Sequence, residues 1–453
     1  MGKMDDKKHV NMTSGPTLGK MIMFSIPIIL SGILQLLFNA ADIVVVGKFA
    51  GDESLAAVGS TSALINLFTN IFIGLSIGAN VLVAHFVGAK EEQRISDILY
   101  TSFVVSSVCG VFLVITGFFL SGPMLALMGN PDNVIGLATL YLKIYFVGMP
   151  AMLFYNFGAA ILRAIGDTKH PLYFLTASGA LNLVLNLILV ISFKMGVAGV
   201  GIATAVSQYL AAWLILRFFM KQKGELHFEF SKIKVNTLLL GRMISIGIPA
   251  GLQGTVFSLS NVVIQSAVNS FGSDVIAGNS ATMNIEGFVY LAMNAIYQTA
   301  ITFVGQNFGA GKKDRVLKCT LQCQGIVIVV GAVFGNLCFF FAPQLLSIYS
   351  SSPTVIAAGL IRAKYILPVY LLCGCMDVMV GALRGIGQSI TPMITSILGA
   401  CVFRLVWIAT IFRTHKTTGT LYISYPISWI ITYVAHILFF IYYFRKIKSS
   451  GEQ

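Results

Sequence analysis

Apolar runs of twenty or more residues recur from one end of this 453-residue chain to the other. Each is about as long as the roughly 20 residues a helix needs to cross a bilayer. The chain is 56% hydrophobic and only 10% charged, far too little charge to coat a soluble domain of this length. These facts predict an all-α polytopic membrane protein and exclude a water-soluble enzyme. A net charge of +13 raises the question of nucleic acid, but Lys and Arg fall in short loops between apolar runs. That distribution marks loops on the cytoplasmic side of a membrane rather than a nucleic-acid surface. The seven cysteines sit mostly inside apolar runs, lack paired CxxC spacing and read as small hydrophobes.

Twelve spans are expected. The first six cover about 21–46, 55–87, 98–120, 134–162, 171–192 and 196–219, and the second six about 243–270, 276–308, 317–345, 355–383, 391–412 and 420–444. The polar N-terminus lacks the pattern of a cleaved secretory signal, so the first span is expected to serve as its own insertion signal. With the N-terminus inside, 22 of the 30 basic residues fall on the cytoplasmic side and 7 outside, leaving Arg404 within a span. The positive-inside rule then puts both termini in the cytoplasm of a plasma-membrane protein. The expected organisation is a tail at 1–20, a six-helix bundle at 21–219, a linker at 220–242, a second bundle at 243–444 and a tail at 445–453. The linker is basic and long, as a hinge between two bundles would be.

The two halves repeat one design. GKMIMFSIP from Gly19 recurs as GRMISIGIP from Gly241, an offset of 222. VAHFVGAKEEQR from Val83 recurs as VGQNFGAGKKDR from Val304, and RAIGDTKHP from Arg163 as RGIGQSITP from Arg384, both at an offset of 221. Six spans separate the copies, so both halves cross in the same sense. Such a parallel repeat is used by several secondary transporters, with the site between the halves.

Polar residues inside the spans are few. Only Asp42, Glu286 and Asp377 are acidic. A carboxylate at membrane depth requires a partner, a proton or a cation, unless it lies at the water interface. Asp42 follows Asn39 by nearly one helical turn, and Asn182 and Asn186 share one face at i, i+4. Pro27, inside the first span, removes one backbone hydrogen bond and permits a bend.

The repeat, Pro27 with Asp42, the GQNFGAGKKDR loop and the paired RAIGDT and RGIGQS turns together resemble the multidrug and toxic compound extrusion (MATE) family over nearly the whole chain. The resemblance implies two pseudo-symmetric six-helix bundles arranged as a V around a central cavity. It implies an antiporter, not an enzyme, that exports cationic or amphipathic organic compounds in exchange for H⁺ or Na⁺. The corresponding coupling site is Asp42, Asn39, Asn182, Asn186 and Thr204, with Pro27 as the bending residue. Where many relatives place a second aspartate, this chain has Asn186, which leaves H⁺ and Na⁺ both open: oxygen ligands suit a hard cation, while a lone desolvated carboxyl favours a proton.

Glu286, Asp377, Asn156 and Met283 are expected at the substrate cavity, with Glu286 either pairing with Arg404 or attracting a cationic substrate. His436, in the last span, is expected to be packed rather than a proton relay. No cofactor is expected beyond the transported ion, no metal beyond Na⁺ at Asp42, and no partner beyond small substrates and the bilayer, the chain acting as a monomer. The alternative is a lipid-linked saccharide flippase of the same broader superfamily, which would carry more spans and a ring of arginines. No HExxH or GxSxG motif supports an enzyme.

Overall fold

Hydrocarbon offers no water to bond a free amide, so each apolar run must satisfy its backbone internally, as a helix. The computed structural model describes residues 12–128 and 131–449, apart from the side chains at 52 and 63. Residues 1–11 of the expected N-terminal tail, with Lys3, Lys7 and Lys8, lie outside the described residues, as do 450–453 of the C-terminal tail. Among the described residues all regular structure is helical.

The first half comprises α1 (Leu18–Phe49), α2 (Asp52–Ala89), α3 (Glu92–Leu127), α4 (Asp132–Ala164), α5 (Lys169–Asn186) and α6 (Gly196–Lys221). A π turn, Leu187–Ser192, extends α5. The second half begins with α7 (Thr237–Asn269), α8 (Ser273–Gly309) and α9 (Lys313–Phe340), followed by the short α10 (Ala342–Ser347). Next come α11 (Pro353–Ile366) and α12 (Leu371–Gly385), then α13 (Ile390–Ser396), α14 (Phe403–Ala409), α15 (Ile411–Thr414) and α16 (Thr418–Ser449). A second π turn, Ile397–Val402, joins α13 to α14.

Eleven of these helical segments are long and apolar enough to cross a membrane, and a bent pair makes a twelfth. That pair is the expected tenth span, broken by 47° between Pro353–Val369 and Leu371–Gly385. Pro368 lies in the short tight turn Leu367–Val369 at the break. It has no amide hydrogen to give, and its ring crowds the preceding turn.

The backbone carries the repeat more sharply than the side chains do. Gly51 (φ 86°) and Gly272 (φ 94°) are both left-handed, as are Gly166 (φ 98°) and Gly387 (φ 86°). Lys90 (φ 60°) and Gly311 (φ 68°) form a third such pair. All three pairs keep the 221-residue offset of the loop motifs. In GAK it is therefore Lys90, not a glycine, that turns the chain after α2, with its amide hydrogen-bonded to Val87 O at 3.2 Å.

The chain divides into two compact units, 26–251 and 12–25 with 252–453, setting aside 1–11. This differs from the expected bundles 21–219 and 243–444 at the opening helix of each half. In the second unit Phe24 packs edge-on against Phe303 of α8, ring centroids 5.5 Å apart. In the first unit α7 packs on α2 backbone to backbone: a Cβ placed on Gly247 would lie 2.6 Å from Leu75 Cα. Gly74 and Gly78 of α2 face Gly247 and Gly251 of α7, so small residues spaced by four line both sides of this contact. α1 and α7 each contribute to both units, and Pro27 and Pro249 lie within two residues of the two division points.

The linker differs from the expected hinge. It forms two short tight turns, Gly224–Leu226 and Phe230–Lys232, and is strapped to α3. Phe228 is 2% exposed and its ring sits 4.7 Å from Phe103 and 5.3 Å from Tyr100. The Tyr100 hydroxyl donates to His227 O at 3.3 Å and accepts from the Glu229 amide at 3.2 Å. Asn236 Nδ2 donates to Asp97 Oδ2 at 3.1 Å. The aromatic residues, which basicity alone does not reveal, make the segment a packed strap.

Two predictions follow from the backbone and the strap. Replacing Phe228 by Ala removes a fully buried ring and lowers stability by about 3 kcal/mol, read from detergent-solubilised unfolding. Lys90→Gly relieves the left-handed strain and raises the same midpoint by the equivalent of about 0.5–1 kcal/mol.

Candidate coupling and binding site

Asp42 sits nearly two turns before the end of α1, half-buried. Its carboxylate accepts a hydrogen bond from Asn186 Nδ2. The same Nδ2 donates to Asn182 Oδ1 at 3.2 Å, and Asn182 Nδ2 points to Thr204 Oγ1 of α6 at 3.4 Å. Four residues from three helices thus form one chain of polar groups. The i, i+4 spacing on α5 stacks the two amides, and both are buried. Asn186 is the last residue of α5 before the π turn, a local widening of the helix often found at functional positions.

Two features of this cluster bear on its chemistry. Asp42 has no salt bridge to a basic side chain among the described residues. Asn186 Oδ1 is fully buried and accepts no hydrogen bond. An orphaned carbonyl oxygen beside a carboxylate costs about 1–3 kcal/mol if nothing meets it. Oxygen donors of this kind, one charged and the rest neutral, fit a small hard cation. Tyr141 and Tyr145 of α4 lie close enough to Asp42 to feel its charge. Neither was singled out in the sequence, where tyrosines at helical spacing read as packing. Asn39, by contrast, is exposed and stands outside the hydrogen-bonded chain. One helical turn back along α1 changes the face by enough to take it off the α5 side.

The second unit holds a different arrangement. Glu286 of α8 is paired with Arg362 of α11, not with Arg404. Arg362 Nε and Nη2 each donate to the Glu286 carboxylate at 2.7 Å, a two-pronged contact in which both side chains are buried. Arg362 Nη1 also donates to Asn279 Oδ1 at 2.9 Å. The Tyr422 and Tyr425 rings flank the guanidinium at 5.4 and 5.2 Å. Arg362 is one of the seven basic residues counted on the outer side, within the expected span 355–383. In the structure it is 3% exposed and turned to Glu286. Glu286 is therefore locked, and 6% exposed, rather than free to attract a cation.

Asp377 of α12 is half-buried and interacts electrostatically with Arg384, seven residues on. Arg384 donates to the Tyr297 hydroxyl and, at 2.8 Å, to Gln253 Oε1. Asn156, at the matching place in the first half, donates to Met152 O at 2.9 Å within its own helix. Met283 is 43% exposed, and its sulfur faces Asn279 Nδ2 at 3.4 Å. His436 is fully buried against Ser396 Oγ at 3.3 Å and Pro392 O at 3.4 Å, a packed histidine. Pro27 is carried within a continuous α1, and Ser31 Oγ donates to its carbonyl at 2.8 Å.

The RAIGDT turn has a role that the sequence only outlined. Asp167 Oδ1 accepts the amides of Lys169 and His170 at 3.2 and 3.1 Å, capping the start of α5. Its other oxygen meets His170 Nδ1 at 2.5 Å. This cap fixes the register of the helix that presents Asn182 and Asn186.

Helical spans repeated in parallel, with a lone carboxylate among amides, define a multi-pass membrane transporter. The family profile MatE matches residues 27–188 and again 249–410, and the chain belongs to that family. Among curated relatives, the "Probable multidrug resistance protein YoeA" of Bacillus subtilis is 28% identical, over 83% of each chain. The "Multidrug export protein MepA" of Staphylococcus aureus is 22% identical, over 89% of this chain and 90% of its own. A solved outward-facing multidrug resistance MATE family transporter superposes with a TM-score of 0.91 at 21% identity, covering 98% of this chain and 99% of that one. At that identity the superposition speaks to the fold.

The buried ion pair supplies a test. Glu286→Gln strands the Arg362 charge and lowers stability by about 3–5 kcal/mol, measured as a drop in the detergent unfolding midpoint. A double change of Glu286→Gln with Arg362→Met recovers most of that loss.

Proposed function

We propose that this chain is a secondary antiporter that expels cationic or amphipathic organic compounds in exchange for H⁺ or Na⁺. The observation that carries the reading is the Asp42 carboxylate, met by Asn186 and by no basic side chain. A carboxylate at that depth is held by amides that satisfy it only in part, and an arriving monovalent cation completes the set. Binding neutralises Asp42 and frees the outer part of α1 from its polar partners. Pro27 leaves one backbone bond of that helix unmade, so α1 bends there at low cost. Ion and substrate must bias that same bend in opposite senses for exchange to be coupled. Family membership and the naming of the relatives as multidrug proteins support export of varied organic compounds. The excess of basic residues in the expected inner loops supports termini in the cytoplasm of a plasma-membrane protein, and the reading takes the working unit as a monomer. The flippase alternative gains no support, since it calls for more spans than the 11 or 12 found among the described residues.

Dye efflux from proteoliposomes under separately imposed H⁺ and Na⁺ gradients tests this reading and names the ion. Asp42→Asn is expected to abolish gradient-driven efflux while the protein still elutes as a single folded species. Efflux at the wild-type rate in that variant would overturn the scheme. Asn186→Ala is expected to weaken ion dependence about tenfold, as the apparent affinity for the coupling cation.

A further inference from the structure

Buried charge in the second unit does not balance. Its buried charged side chains are Glu286, Arg362, Arg384 and Arg404. Glu286 answers Arg362, and half-buried Asp377 answers Arg384. Arg404 makes no salt bridge to an acid among the described residues, and Arg362, of the same sign, acts on it. It is 4% exposed and directly follows the start of α14, after the second π turn.

Its partners account for only part of the guanidinium. Nε donates to Ser428 Oγ at 2.9 Å, and the group lies 4.1 Å from the Tyr425 ring centre and 5.8 Å from that of Trp429. Nη2 is buried and has no hydrogen-bond acceptor. Nearby, the buried Ser260 hydroxyl of α7 has only the Cys401 thiol within its reach among the described residues. Cys401, three residues before Arg404, lies beside both of them. Stacking on aromatic rings offsets only part of what it costs to hold an arginine at bilayer depth. The rings alone leave the charge under-compensated, and Arg404 Nη2 stands without an acceptor among the described residues.

We propose that Arg404 and Ser260 form an anion-binding site in the second unit, taking one monovalent anionic atom: a halide ion or a carboxylate oxygen. The guanidinium supplies charge and one N–H, and the serine supplies one O–H. Tyr425, Trp429 and Tyr370 supply an aromatic wall, with Tyr370 5.5 Å and Tyr425 5.9 Å from Trp429 between ring centres. This wall suits the apolar part of an organic acid as well as a poorly hydrated halide. The site is separate from Asp42 and takes the opposite charge, so it does not depend on the exchange reaction proposed above.

The test measures binding, not transport. Full-length protein in lipid nanodiscs, held at constant ionic strength in a buffer whose only anion is a bulky sulfonate, is titrated with sodium bromide and separately with sodium octanoate, octanol serving as the uncharged control. Tryptophan emission and the unfolding midpoint are read together. A saturable response to bromide assigns a resident inorganic anion. A saturable response to octanoate but not octanol assigns the acidic group of an organic ligand. In either case Arg404→Gln is expected to weaken binding roughly tenfold or more, and Ser260→Ala about threefold. Ser260→Ala carries the test if Arg404→Gln fails to fold. No saturable response to either anion overturns the proposal, as does a response that folded variants at these positions leave unchanged.

Discussion

The constraint on which everything else rests is that hydrocarbon answers neither a backbone amide nor a charge. The first half of that constraint makes every span a helix and forces each break to find a remedy. The break between α11 and α12 falls at Pro368, where one amide hydrogen was already absent. The second half sorts the charged residues. Glu286 and Arg362 satisfy each other completely, with Asn279 taking the remaining guanidinium nitrogen. Asp42 and Arg404 are not satisfied in that way. One is a carboxylate among amides with an orphaned carbonyl beside it, the other a guanidinium among rings with an orphaned nitrogen. In a membrane protein such incomplete solvation is costly enough that its persistence points to something that comes and goes.

Much of this was legible in the sequence because it is written in local chemistry. Apolar length gave the spans, and the loop motifs gave the parallel repeat, which the matched left-handed residues Gly51 and Gly272, Lys90 and Gly311, and Gly166 and Gly387 then express in the backbone. The i, i+4 spacing of Asn182 and Asn186 already placed two amides on one face of α5. What escaped was long-range. Nothing in a window of residues says that Arg362 rather than Arg404 meets Glu286, because the choice depends on how α8 and α11 pack. The linker was misjudged for a related reason: its basic residues are exposed and conspicuous, but Phe228 and Leu226, buried on α3, decide its behaviour. Asn39 shows the limit of helical-wheel reasoning, since a three-residue step turns about 60° away from full register.

The two halves also differ more than their shared ancestry in design implies. Asp42, Asn182 and Asn186 have no polar counterpart in the second half, where Ile264, Phe403 and Trp407 stand at the matching positions. Arg404 in turn aligns with Leu183. The repeat therefore supplies a common scaffold, while opposite charges are set into its two copies. A pseudo-symmetric frame with asymmetric chemistry permits each unit to serve a different ligand without a change of fold.

The exchange of helix ends between the units bears on how the chain is made. Residues 237–251 complete the first unit, and residues 12–25 complete the second. During synthesis the leading six helices therefore wait, unfinished, until the opening of the seventh has emerged. The stretch made first is docked among the last. Either half expressed alone would lack a strip of its own interior.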